Sequence, residues 1–525
     1  MIPILLLNIL MYRSMKNSVL FGCGLIFLLS CSTGSKESKE GFDQLQGLGN
    51  ASLELSGKEL ADLYCQACHI KPDPELLDKT TWKNLVLPDM RRRLGLITAE
   101  DFGAKIGEDN DAPPGIYSQT ALITQADWDK IQEFYLNLAP ESLKSIPMDK
   151  NLKENKGVFT VRKPNFHNKR QSLTTLIRYH PIEKLLYLGD RPNTLFRVDP
   201  IKMKIQDSIK INSPASDIRF KDASFELLTM GVMDPSNFAL GKLENYGSFE
   251  YQKKEVFLDS LRRPVHFSFA DLDQNGQQDM VICFFGNHIG HLSWFEKQGQ
   301  DYKEHVLNAT PGARKTIVED VNGDGLPDVI AMMTQAKEGI YVYINQGNSK
   351  FKEEKWLEFD SVFGSSDFDW VDMDGDGFKD LVIVNGDNAD LSPILKPYHG
   401  LRIFSNDGKN GFKESYFYPM HGASALLTED FDQDGRKGVA VISYFPDRSG
   451  EKVVNFLLFQ QTKSMEFEVS TITELGEWSW LVMEKADIDG DGDLDIILGS
   501  FDFQTRYAFP ALDWMPFVVL KNQIN

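Results

Sequence analysis

"DMDGDGFKDLVI", residues 372–383, sets Asp372, Asp374, Asp376 and Asp380 at positions 1, 3, 5 and 9 of a loop whose sixth residue is Gly377. The pattern recurs along the chain. DLDQNGQQDMVI starts at Asp271 and places Asp273, Asn275 and Asp279 at the same positions. DVNGDGLPDVIA starts at Asp320 with Asn322, Asp324 and Asp328, and DIDGDGDLDIIL starts at Asp487 with Asp489, Asp491 and Asp495. DFDQDGRKGVAV starts at Asp430 and keeps Asp432 and Asp434, but its ninth residue is Gly438. The starts lie 49, 52, 58 and 57 residues apart. Self-similarity at such a period marks a repeat architecture.

Oxygen ligands at alternate positions suit Ca²⁺, with Gly at position 6 for the sharp turn. A helix–loop–helix calcium site would also need a bidentate Glu at position 12. Here that position holds Ile282, Ala331, Ile383 or Leu498. Apolar runs flank each loop, so the loop joins two strands. The five loops carry 17 Asp at positions 1, 3, 5 and 9 in a chain of net charge −20. Carboxylates this close repel, and four or five Ca²⁺ ions are expected to offset them. The Asp430 loop is the weakest candidate, because Gly438 offers no ligand.

These loops resemble the FG-GAP/VCBS repeats of integrin-like β-propellers. Five such units begin near residue 260, and 150–260 has room for two more. Residues 174–200 and 215–247 read as four-stranded units without the acidic loop. The expectation is an all-β, seven-bladed propeller over 149–525. GVFTV (157–161) and FVVLK (517–521) would pair in one blade and close the ring, leaving no free edge.

If the acidic loop joins the first strand to the second, the strand starts and the second-to-third-strand loops share the opposite face. That face is expected to carry His266, Arg314, Trp370, Asp387, Asn388, His399, His421 and Trp480. Polar and aromatic loops on a rigid scaffold are where binding commonly lives, so these residues form a candidate ligand face.

Ahead of the repeats stands YCQACH, residues 64–69. In an exported protein, C-x-x-C-H reads as a covalent c-type haem site, with Cys65 and Cys68 as the thioether residues and His69 as the axial ligand. A zinc site would need a second Cys/His pair nearby, and a thioredoxin-like site would need a βαβ pattern. Ser56 is a fitting N-cap for a helix leading into the motif, and 124–143 reads as a later helix capped by Thr124. Residues 50–145 resemble a small class I-like cytochrome c domain. That resemblance implies a sixth iron ligand, for which Met90 is the candidate. The family often places this Met in a late loop that here reads GEDNDAPPGIYS, without Met.

The N-terminus carries VLFGCGLIFLLSC, residues 19–31, too short to span a bilayer comfortably. Its end resembles a bacterial lipobox, which implies a signal peptide over 1–31, lipidation of Cys31 and a location in the cell envelope on its periplasmic or outer-membrane face. Residues 32–50 read as a flexible tether and 51–148 as the haem domain. Cys283, in an apolar run, is expected to be a buried free thiol. The acidic net charge argues against nucleic-acid binding.

Nearly the whole chain resembles bacterial cytochrome c–VCBS fusion lipoproteins. No nucleophile elbow, phosphate loop or dinucleotide fingerprint is present. The expected function is electron transfer through haem c, as a carrier or an oxidoreductase component, with a redox partner protein or a small reductant. The alternative is a non-enzymatic adhesion or carbohydrate-binding propeller with an accessory haem domain.

Overall fold

The computed structural model describes residues 54–524, apart from 99–100, 102–111, 145, 147–151, 156, 223, 248, 250–253, 336, 389–391, 410 and 503–512. The expected signal peptide, Cys31 and the tether lie outside the described residues. Leu55–Asn525 belongs to one compact unit. No described helix is long and apolar enough to cross a membrane.

Seven antiparallel sheets form the bulk of the chain. Blades 1 to 6 follow the chain: 174–210, 215–261, 264–308, 313–358, 365–419 and 423–471. Blade 7 takes three strands from 480–522 and its outermost from Phe159–Arg162. Phe159 pairs with Asn522 and Val161 with Leu520, so the N-terminal strand closes the ring as expected. Lys153–Glu154 adds a short parallel strand to the outer edge of blade 6. The first strands of successive blades lie against one another, and those of blades 7 and 1 also meet.

Burial explains the strand sequences. Second strands such as Asp279–Phe284, Asp328–Met333 and Asp380–Asn385 are buried at every residue. They are sandwiched between neighbouring blades, so their apolar runs do not alternate. Fourth strands are outermost, and Lys204–Lys210 alternates exposed with more buried residues. Cys283 is fully buried as a free thiol in the second strand of blade 3. Every first strand carries a bulge near its start, between Pro264 and His266 in blade 3 and between Ala313 and Lys315 in blade 4. A bulge re-aims the residue that follows it.

The helical segment begins with Gly57–Tyr64, capped by a reciprocal Ser56–Glu59 box. A 3₁₀ turn, Cys65–Ala67, continues it. Lys79–Thr81, a π turn at Trp82–Val86 and Leu87–Arg93 form one helical run. Gln125–Leu138 is capped by Thr124. The first and last helices cross at Gly57, where a Cβ would stand 2.1 Å from the Lys130 carbonyl oxygen; only Gly permits that approach. Leu60, Trp82, Trp128, Ile131 and Tyr135 form the core of the segment. Val362 and Phe363 just ahead of blade 5, with Ile394 and Tyr398 of that blade, pack into the same cluster, and the Tyr398 hydroxyl donates to the Leu76 carbonyl at 2.9 Å.

Ring closure rests on a few side chains. Phe159 is 5% exposed and meets Phe431 of blade 6 edge-on at 5.9 Å. Truncating such a buried Phe typically costs ~3 kcal/mol or more. Phe159→Ala should therefore lower the melting temperature and expose 153–162 to limited proteolysis before the inner strands.

Candidate functional site

Each acidic loop joins the first strand of its blade to the second, between Ala270 and Asp279 in blade 3 for example. Within a loop the carboxylates do different work. Position 1 is bound by the loop backbone: Gly276, Gly325, Gly377, Gly435 and Gly492 each donate N–H to its Oδ2, at 2.8–3.2 Å. Position 9 is a clamp. Asp279, Asp328, Asp380 and Asp495 are at most 1% exposed. One oxygen of each accepts the N–H of loop position 2, from Leu272, Val321, Met373 and Ile488. The other accepts an N–H of the third strand, from Lys297, Asn345, Asn406 and Asn522.

Positions 1 and 3, joined by 5 or 9, supply the converging oxygens. Asp271, Asp273 and Asp279 bring one oxygen each within 4.8 Å of one another. So do Asp372, Asp374 and Asp380; Asp430, Asp432 and Asp434; and Asp487, Asp489 and Asp491. Two like charges at that spacing repel by about 3 kcal/mol at an effective dielectric of about 20, a large share of a domain's net stability. In blade 4 the Asn322 amide donates to Asp324 at 3.0 Å. Hard oxygens at this density fit Ca²⁺, so the residues present match the ion.

A further link lies beyond the loop. Asn345, Asn406, Gln461 and Asn522, near the ends of their third strands, donate to the carbonyl of their own loop's position 8. Asn345 also reaches the Leu272 carbonyl of the preceding blade at 2.7 Å, Gln461 reaches Met373 at 2.9 Å and Asn522 reaches Phe431 at 2.8 Å. Asn345, Gln461 and Asn522 thus staple blades 4, 6 and 7 to the loop of the blade before. Their sequence signal is an amide ending each third strand, as in YVYIN, IFSN and VVLKN, masked by second-to-third-strand loops of unequal length.

The candidate ligand face needs correction. Trp370 is 8% exposed at the acidic-loop end of its strand, against Trp356 and Phe412. Trp480 is fully buried with its indole N–H on the Leu475 carbonyl. His266 faces the central channel, with Nδ1 2.9 Å from Asp217 and Nε2 3.1 Å from the Thr316 carbonyl oxygen. These three hold blades together. The channel network also includes Arg178, bound to Glu484 at 2.9 Å and Asp217 at 3.2 Å, and Lys315, bound to Asp367 at 2.8 Å. Burial alone would raise the Asp217 carboxyl, but Arg178 and His266 hold it below its ordinary range.

The other residues do gather at the opposite end, chiefly around blade 5. Arg314 donates to the Ser366 carbonyl and lies 3.9 Å from Asp387. Asn388 accepts from Lys396 at 2.8 Å and donates to the Ile394 carbonyl at 2.9 Å. His399 and His421 are buried, and His399 Nε2 and His421 Nδ1 have no hydrogen-bond partner among the described residues. Burial, with Lys396, His421 and Arg402 nearby, keeps His399 neutral; burial lowers His421 as well. The helical segment covers part of this face through Tyr398 and Phe363, whose rings stack at 4.7 Å.

In the C-x-x-C-H motif, Cys65 packs partly buried against the helical core and Cys68 is exposed; neither is in a disulfide. Burial pushes the Cys65 thiol up to about 11, so it is not poised as the thiolate a redox-active pair requires. Among the described residues, no set of three Cys, His or carboxylate groups converges there as a zinc ion would need. His69 Nδ1 lies 2.6 Å from the Ile70 carbonyl oxygen. With Nδ1 against that carbonyl, Nε2 is the ring nitrogen this contact does not use. Met90 packs partly buried against the cluster that holds Cys65. Two thiols, a His and a Met are the residue types that a covalent haem would use.

The chain carries FG-GAP-like repeats: that family matches residues 271–331 and 320–383. Integrin alpha-4 of Xenopus laevis is 29% identical over 142 residues, 24% of this chain and 14% of that protein. Among solved structures, the WD40 domain of Neurospora crassa Pan2 superposes with a TM-score of 0.44 at 11% identity, over 72% of this chain and 98% of that one.

The blade 7 loop gives a pH test. Burial, together with neighbouring carboxylates, pushes Asp493 and Asp495 up to about 6. A carboxyl raised above its unfolded value of about 3.9 costs stability when ionised, and the cost vanishes as pH falls through the folded value. In chelator, the melting temperature should rise between about pH 7 and about pH 5. Excess Ca²⁺ should raise it at pH 7 and flatten the profile. A chelated protein that loses stability over that interval contradicts the charge argument.

Proposed function

We propose that this chain is a cell-envelope electron-transfer lipoprotein in which haem c sits on the helical segment and a calcium-braced propeller presents loops to a substrate or redox partner. The observation that carries the reading is the C-x-x-C-H motif, with His69 Nδ1 turned to the Ile70 carbonyl. When bound, haem c supplies a one-electron iron couple. Cys65 and Cys68 would hold it covalently, His69 Nε2 would be the proximal ligand and Met90 the sixth. Tyr135 supports the site: its ring packs on Trp82 at 4.5 Å and its hydroxyl donates to the Pro72 carbonyl at 3.1 Å. Lipidation of Cys31 would tether the protein to a membrane.

The contact between helical segment and propeller favours joint action. Phe363 and Tyr398 pack into the helical core, and His399 follows Tyr398 in the chain, with its ring 5.7 Å away. A ligand held by the loops of blades 5 and 6 would therefore lie beside the haem-bearing segment. A second reading, a non-enzymatic partner-binding propeller with an accessory haem domain, is favoured by the similarity to integrin alpha-4.

Expression with a c-type haem maturation system tests the first reading. The denatured protein should keep its haem and give a c-type pyridine haemochrome, and Cys65→Ala with Cys68→Ala should abolish attachment. Met90→Ala should keep the haem but lower its potential and open the iron to small ligands. A correctly processed, folded protein without covalent haem would overturn the electron-transfer reading. A haem protein that no small reductant or redox partner reduces would favour the second.

A further inference from the structure

Position 7 of the acidic loop separates blades 6 and 7 from the others. It is Gln277, Leu326 and Phe378 in blades 3, 4 and 5, Arg436 in blade 6 and Asp493 in blade 7. Resting on the calcium reading of these loops, we propose that this residue decides whether a loop recruits a cation: the blade 7 loop takes a hard divalent ion with Asp493 as an added side-chain ligand, whereas the blade 6 loop carries its own cation in Arg436.

Asp493 is 1% exposed, and neither carboxylate oxygen has a hydrogen-bond partner among the described residues. Asp491, Asp495 and Asp489 act on it as neighbouring negative charges. Asp489 Oδ1 is likewise buried without a partner. Asp487, Asp489 and Asp491 converge within 4.8 Å. Among the described residues Lys521 pairs with this cluster, bound to Asp489 and 3.3 Å from Asp491. The loop itself sets five carboxylates at positions 1, 3, 5, 7 and 9. A buried carboxylate without donors is costly, and a divalent oxygen-seeking ion meets both deficits.

The blade 6 loop is the converse. Its carboxylates also converge, but each is already served. Asp430 accepts N–H from Asp434 at 3.0 Å and from Gly435 at 2.8 Å. Asp432 accepts from the Gln460 amide at 2.7 Å. Arg436 pairs with Asp434 and anchors its Nε on the Gln461 carbonyl at 2.9 Å. The missing carboxylate at Gly438 is thus not the sole difference, because Arg436 also engages Asp434, one of the three converging carboxylates.

The test is calcium stoichiometry and affinity on the full-length, lipid-free protein, by metal analysis and by calcium and terbium titration after chelation. Wild type should bind about four ions. Asp493→Asn, nearly isosteric, should weaken one site about tenfold or more and leave the rest. Arg436→Gln should gain about one ion, a result that misfolding cannot mimic. Unchanged affinities in Asp493→Asn, or no gain in Arg436→Gln, would overturn the proposal while leaving the calcium reading standing. A folded wild type that binds no ion would overturn both.

Discussion

The propeller depends on how it manages negative charge at one end. Five loops concentrate carboxylates where strands turn, and each loop is stapled into the ring. The position-9 Asp ties the loop start to the third strand of its own blade. A third-strand amide then ties that blade to the carbonyl of the loop before it, as Asn345 does to Leu272 and Asn522 to Phe431. A cation within a loop thus acts on more than that loop. It relieves repulsion at a point where two blades are joined, and binding only to the folded ring stabilises it by mass action.

Bracing one end leaves the other free to vary. The second-to-third-strand loops there differ in length, and the long one in blade 5 supplies the seat for the helical segment through Ile394 and Tyr398. The channel between the ends is filled by a charged network in which Arg178, Asp217, His266 and Glu484 satisfy one another. Such pairing specifies which first strand lies beside which. It also engages those side chains with one another, whereas His399 Nε2 and His421 Nδ1 at the other end have no hydrogen-bond partner among the described residues.

Much of this was legible in the sequence because its signals were local. Fixed Asp spacing with Gly at position 6 located five blades, and GVFTV and FVVLK marked the closing strands. Ser56 and Thr124 marked helix starts because an N-cap is a one-residue decision. What failed was facing. Trp370 and Trp480 lie on first strands, and which way they point follows from neighbouring blades rather than from their own segment. His266 was misplaced because a bulge two residues into the strand turns it into the channel. The position-9 clamp and the cross-blade amides were invisible for a related reason: their partners lie 7 to 91 residues away. In the Asp430 loop Arg436 pairs with Asp434 and the Gln460 amide donates to Asp432, contacts that the Asp spacing alone did not reveal.

Native-state hydrogen exchange with and without Ca²⁺ reads the central claim most directly. The third-strand amides of Lys297, Asn345, Asn406 and Asn522 donate to the position-9 carboxylates, whereas blades 1 and 2 have no acidic loop. Chelation should speed exchange at those amides and at their cross-blade neighbours, while Leu185–Asp190 and Ser224–Thr229 in blades 1 and 2 keep their protection. Equal protection in every blade with and without Ca²⁺ would contradict the view that cations in the acidic loops hold this ring together.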